Sequence, residues 1–123
     1  MRVLVSGARE WRSPQSIKDV LFDLYDLHDG KITVAQGGCR GVDQLTDMIC
    51  DELHIYCKTY NADWDKHGRS AGIKRNIEMF NIEKPNLVLA FHRDLFGKSR
   101  GTLHMVQYAH EQGCEVRIYQ KEY

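Results

Sequence analysis

The sequence predicts a single Rossmann-like α/β domain over residues 1–123, three layers deep, with a mainly parallel sheet of about five strands. Three observations carry this prediction. Short apolar runs alternate with stretches of helical periodicity from one end of the chain to the other. The first run is apolar at consecutive positions, the pattern of a strand covered on both faces. The length, 123 residues with 42% hydrophobic and 28% charged content, suits one core and no more.

The elements follow in order. Arg2 to Ser6 brings Val3, Leu4 and Val5 together as a first strand. Ser13-Pro14 opens a helix, serine as N-cap and proline in the first turn. Ile17, Val20, Leu21, Leu24 and Leu27 then recur at helical spacing until Asp29-Gly30 stops the element. Lys31 to Ala35 is a second strand, Gly37 to Gly41 a tight loop, and Val42, Leu45, Ile49 and Leu53 mark a second helix. Ile55 to Tyr60 is a third strand. Asn61 to Arg69 is a long polar loop, and Ile73, Ile77 and Phe80 define a third helix. Asn86 to Phe91 is a fourth strand, Gly101 to Gln112 a fourth helix ended by Gly113, and Glu115 to Tyr119 a fifth strand. Met48, Met79 and Met105 fall at apolar helical faces and read as core. Strands and helices in alternation imply right-handed crossovers, and hence helices on both faces of the sheet.

Composition narrows the function. Lys plus Arg and Asp plus Glu are 17 each, so no overall basic field exists to hold nucleic acid or an anionic membrane. Met1 to Gly7 contains one basic residue and a three-residue apolar run, far short of a signal peptide or a spanning helix, so a cytoplasmic location is expected. The four cysteines form no C-x-x-C pair and are expected to be reduced. His104 and His110, six apart, do not share a helical face as an i, i+4 pair would, and no metal or required cofactor is expected.

In open parallel sheets ligands bind outside the carboxyl ends of the strands, and four strand-to-helix loops here are rich in Gly, Arg, Ser, Thr and Asp. They supply Ser6, Gly7, Arg9 and Trp11; Gly37, Gly38, Arg40, Gly41 and Asp43; Asp63 to Asn76; and Ser99, Gly101 and Thr102. Glycines there let backbone N–H groups approach a phosphate, the next helix adds its positive end, and arginine adds a bidentate fork. In the third loop Trp64 can stack on a base, while Asp63 or Asp65 can accept from ribose hydroxyls or move a proton, with Arg75 beside them. Each loop also has a plainer reading: glycines that make turns, a tryptophan that covers a helix end, and for His67 a solvated turn. His92 is a candidate by position alone, just past the fourth strand. Neither G-x-G-x-x-G nor G-x-x-x-x-G-K-[ST] occurs, so no dinucleotide cofactor or NTPase is assigned.

As a set, RVLVSGAREW (Arg2 to Trp11), QGGCRGVD (Gln36 to Asp43), ADWDKHGRSAGIKRNIEM (Ala62 to Met79), LVLAFH (Leu87 to His92) and SRGTLHMV (Ser99 to Val106) resemble the YspA-like, YpsA-related branch of the SLOG superfamily. That superfamily also holds the LOG phosphoribohydrolases and the DNA-processing protein DprA. The resemblance implies a Rossmann-like fold binding a nucleotide-derived ligand. Gly37, Gly38 and Arg40 would form one phosphate or ribose loop, Ser99, Gly101 and Thr102 a second, and Arg75 would match the arginine that LOG enzymes place near the substrate phosphate. The LOG pattern P-G-G-x-G-T-x-x-E is altered, because Met105 stands where its glutamate would be. Methionine transfers no proton, so glycosidic hydrolysis does not carry over. The implied function is a binding module that senses or sequesters a small nucleotide derivative. The alternative is a nucleoside-monophosphate phosphoribohydrolase with Asp63 or Asp65 as acid, and DNA binding comes third. A homodimer is implied by the family habit of pairing through helices.

Overall fold

Five strands, β1 (Arg2–Gly7), β2 (Thr33–Gln36), β3 (Tyr56–Thr59), β4 (Leu87–Phe91) and β5 (Glu115–Tyr119), lie in one sheet in the order β3-β2-β1-β4-β5. Every neighbouring pair is parallel. The computed structural model describes the backbone of residues 1–123 and every side chain except that of Lys98. Helices α1 (Pro14–Leu27) and α2 (Val42–Leu53) cover one face of the sheet, and α4 (Ala71–Glu83) and α6 (Gly101–Glu111) the other.

Alternation along β1 builds both halves of the core. Val3 and Val5 face Ile17, Leu21, Leu24, Val42 and Ile49 of α1 and α2. Leu4 points the opposite way, onto Met79 and Phe80 of α4 and Met105 and Ala109 of α6. β4 is buried at all five positions, as a central parallel strand should be, whereas β3 is mostly exposed because it is an edge. β2 and β3 feed to one side of β1 and β4 and β5 to the other, so the strand order reverses between β1 and β4. That reversal is the topological switch point of the fold.

The structure differs from the sequence reading in four respects. The polar stretch after β3 contains a one-turn helix, α3 (Trp64–His67), and a 3-10 turn (Gly68–Ser70), and a further helical turn, α5 (Leu95–Lys98), follows β4. Asp63 nucleates α3 by accepting a hydrogen bond from Lys66 N at 3.1 Å. Met48 is not core: α2 buries Val42, Asp43, Thr46, Ile49 and Cys50, which turns Met48 outward at 66% exposure. Leu27 and Ile73 are likewise exposed at the margins of their helical stripes. Ser13 does sit at the N-cap of α1, but its hydroxyl does no capping. The carboxylate of Glu122, from beyond β5, accepts from the N–H groups of Arg12 and Ser13 instead. No described helix is long and apolar enough to cross a membrane.

Candidate functional site

The loops that leave the carboxyl ends of the strands enclose two adjoining cavities. The smaller, about 560 Å³, lies beyond β2 and β3 and is walled by Gly37, Gly38, Cys39, Arg40, Asn61 and Ala62. The larger, about 790 Å³, opens at the switch point, where Ser6, Gly7 and Trp11 after β1 meet His92 and Arg93 after β4 and Ser99 to Thr102 at the start of α6. Arg9, Cys39, Trp64 and Arg75 line both. The Arg9 guanidinium lies over the half-exposed Trp64 ring, 5.8 Å from its centroid, so these two side chains form the partition.

Close backbone approaches shape the loops. A Cβ on Gly7 would fall 2.5 Å from Phe91 O and from Val42 Cγ2, and Gly41, at φ +77°, would place one 2.3 Å from Ala8 O. Those two glycines let the first and second loops lie against each other, with Val42 N donating to Ala8 O at 3.1 Å. Gly37 packs beneath Arg75 and Gly38 against Asn61. Gly101 is different: it has no left-handed backbone, and a Cβ there would meet nothing within 4 Å, although the residue lines the larger cavity.

Positive charge is concentrated here. Six of the nine arginines, Arg9, Arg40, Arg69, Arg75, Arg93 and Arg100, line the cavities of a chain whose net charge is zero. Glu10, Asp94 and Glu122 oppose them. Arg40 pairs with Glu10 at 2.8 Å, and Arg93 approaches Glu122 at 3.6 Å. Arg75 spends Nη1 on the carbonyls of Gly37 and Tyr60 and Nε on Asn76 Oδ1. Its Nη2 makes no hydrogen bond among the described residues.

Beneath the glycine loop, Gln36 is 1% exposed, accepts from Gly38 N at 2.6 Å and donates to Thr59 Oγ1 at 2.7 Å. Asp43 is also buried and accepts from Cys39 N at 3.1 Å. Burial pushes its carboxyl up to about 6, against the hydrogen bonds from Cys39 and Gly37 and the charges of Arg75 and Arg9. Its Oδ1, and the Oγ1 of Thr46 one turn on, have no partner among the described residues. His92 takes a hydrogen bond from Asp94 N on Nδ1, and burial lowers its affinity for a second proton, so the neutral ring offers Nε2–H. Trp11 closes the floor of the larger cavity, 2% exposed, edge-on to Phe91, with its indole N–H on Ser13 O and Ser16 Oγ.

Of the residues singled out from sequence, Ser6, Gly7, Arg9, Trp11, Gly37, Gly38, Arg40, Trp64, Arg75, His92, Ser99, Gly101 and Thr102 line the cavities. Gly41, Asp43, Asp63, Asp65, His67 and Asn76 do not. Asp63 is occupied in capping α3. His67 Nδ1 lies 3.2 Å from Lys74 Nζ on the exposed side. Asn76, 2% exposed, donates to Gly101 O at 3.0 Å and so ties α4 to the start of α6. Met105 is fully buried in the core. The loops read from sequence contained Arg69 and Arg100 without singling either out, and Arg93, next to His92, was passed over; its place in the same loop was a usable signal. Glu122, for which no local signal exists, was also passed over.

A family model described as the YspA, cpYpsA-related SLOG family matches residues 1–67, which span β1 through α3. The gene 61 protein of Mycobacterium phage D29 is 33% identical over 120 residues, covering 94% of this chain and 93% of that protein. Among solved structures, a Listeria monocytogenes protein assigned as a UDP-N-acetylglucosamine 2-epimerase matches 96% of this chain with a TM-score of 0.55 at 14% identity. This chain spans 30% of that protein, and the likeness is one of fold.

Proposed function

The chain belongs to the YspA, cpYpsA-related SLOG family, and on that premise we propose that it binds a phosphate-bearing nucleotide derivative in the two cavities, as a sensor or sequestering module. One observation carries the proposal: a chain of zero net charge gathers six arginines in the lining at the carboxyl edge of its sheet, against three carboxylates in that lining. Guanidinium forks match phosphate oxygens, and the start of α6 adds the Gly101 and Thr102 N–H groups, which have no hydrogen bond among the described residues, while Ser99 Oγ accepts from Leu103 N at 3.0 Å. Trp64, 49% exposed, supplies an aromatic face for a base.

Binding without turnover is favoured by the buried Met105 and by the absence of Asp43, Asp63 and Asp65 from the lining. The test is a thermal-shift panel of nucleoside mono- and diphosphates of all four bases. A ligand at 100 times its Kd stabilises by about 2.7 kcal/mol, which for a domain of this size is about 10 °C. A panel that leaves the melting temperature unmoved overturns the proposal.

A further inference from the structure

We propose that the ligand is bipartite: a nucleoside diphosphate carrying a second polar moiety on its terminal phosphate, with the pyrophosphate bridge at the partition and one half of the molecule in each cavity. This rests on the nucleotide-binding reading above and narrows it to a substrate class.

Capacity is the first argument. Cavities for small ligands run to roughly 300–1,000 Å³. The larger cavity, about 790 Å³, already lies within that range, and the smaller adds about 560 Å³ through a shared wall. A nucleoside monophosphate would leave one of the two largely unfilled.

The distribution of cations is the second. Arg9 and Arg75 line both cavities, so two guanidiniums stand at the junction, where a bridge of two phosphates would pass. Neither has a carboxylate within salt-bridge distance among the described residues. Beyond the junction each cavity keeps polar groups of its own, Arg40 and Asn61 in the smaller and Arg69 and Arg100 in the larger. A site built for one phosphate needs one cluster of donors, whereas here guanidiniums stand at the junction and in both cavities, Arg40 alone of those named being paired with a carboxylate, Glu10.

The partition itself is the third. Arg9 and Trp64 are both exposed, and the guanidinium rests on the indole through a cation–π contact, which is weak at an exposed site. A ligand phosphate that draws Arg9 off the indole replaces that contact with a stronger charge-assisted hydrogen bond and frees the ring face for a base.

Isothermal titration of the full chain with AMP, ADP, UMP, UDP, UDP-glucose and diadenosine diphosphate tests this. A bridged compound is expected to bind at least tenfold more tightly than the monophosphate of the same base. Arg40→Ala and Arg100→Ala, on opposite sides of the partition, should each weaken the bridged compound by at least fivefold, while the monophosphate responds to one of them only. Equal affinity for bridged and monophosphate compounds, with both responding to the same single variant, overturns the bipartite ligand and leaves nucleotide binding standing. No binding by any of the six overturns the underlying reading as well. Circular dichroism melts of both variants guard against misfolding, and lysine replacements at the same positions, which keep the charge and lose the fork, should recover part of the affinity.

Discussion

Gly101 offers a clean separation of folding from binding. It is the first residue of α6, has ordinary helical backbone, and an added Cβ would meet no protein atom within 4 Å. Nothing internal to the fold therefore requires a glycine there. Replacing Gly101 by Ala narrows the unfolded ensemble at no native-state cost and should stabilise the free protein by about 0.4–1 kcal/mol. With an unfolding entropy of roughly 2.1 cal/mol/K per residue, that is a rise of about 2–4 °C in melting temperature.

The same methyl would intrude on a phosphate held against the N–H groups of α6. Loss of one close contact there should weaken the tightest binder of the nucleotide panel by about tenfold, or 1.4 kcal/mol. At a ligand concentration 100 times the wild-type Kd, the ligand-induced shift should fall from about 10 °C to about 5 °C. Differential scanning fluorimetry with and without nucleotide reads both quantities in one plate. A free variant that melts lower than wild type means the glycine serves the fold. A free variant that melts higher while the ligand shift stays intact means the ligand does not approach α6.

Three other perturbations have defined outcomes. Gly41→Ala forces a side chain into a φ of +77° and against the carbonyls of Ala8 and Arg9, which cannot swing aside, so a loss of about 3 kcal/mol or more is expected in urea denaturation, and an unchanged midpoint would contradict the loop packing. The raised carboxyl of Asp43 means the folded state holds an extra proton between pH 4 and 6. Its contribution to stability is therefore fully present below pH 4 and is lost as pH rises through about 6, a total difference of about 3 kcal/mol between the two limits, so Asp43→Asn should raise the melting temperature at pH 7.5 and flatten its change between pH 7.5 and 5. Glu122→Gln weakens the cap on Arg12 and Ser13 and the approach to Arg93, and should lower the melting temperature by about 4 °C, or 1 kcal/mol, while tightening an anionic ligand; a stability equal to wild type would remove Glu122 from the cap.

Much of the fold was legible because apolar runs and helical periodicity are local signals, and parallel pairing with helices on both faces follows from their alternation, whereas the order β3-β2-β1-β4-β5 does not. What escaped was either too short to be periodic or non-local. α3 and α5 are single turns. The Asp63 N-cap was visible as an aspartate opening a polar segment, but it invited a catalytic reading because sequence does not say which atom its carboxylate meets. Glu122 acts across 109 positions on Ser13 N, and nothing near it in the chain reveals this. Glycines show the limit most clearly. Gly7, Gly41 and Gly101 look alike after a strand or before a helix, yet two are required by neighbouring backbone or side chains and one by nothing in the protein.

The lining also decides what hydrolysis would require. Glycosidic cleavage needs a carboxyl group able to give or take a proton at the scissile bond. Of the three carboxylates in the lining, Glu10 pairs with Arg40 and Glu122 holds two backbone N–H groups. Asp94 alone has a carboxylate without a hydrogen bond or salt bridge among the described residues, and it stands two residues past His92 at the mouth of the larger cavity. Any turnover of a nucleoside monophosphate by this chain would therefore run through Asp94, and not through Asp63 or Asp65. Chromatography of AMP incubated with the wild type and with Asp94→Asn should show no free adenine from either. Adenine released by the wild type and not by the variant would refute the binding-only reading and give the site its acid.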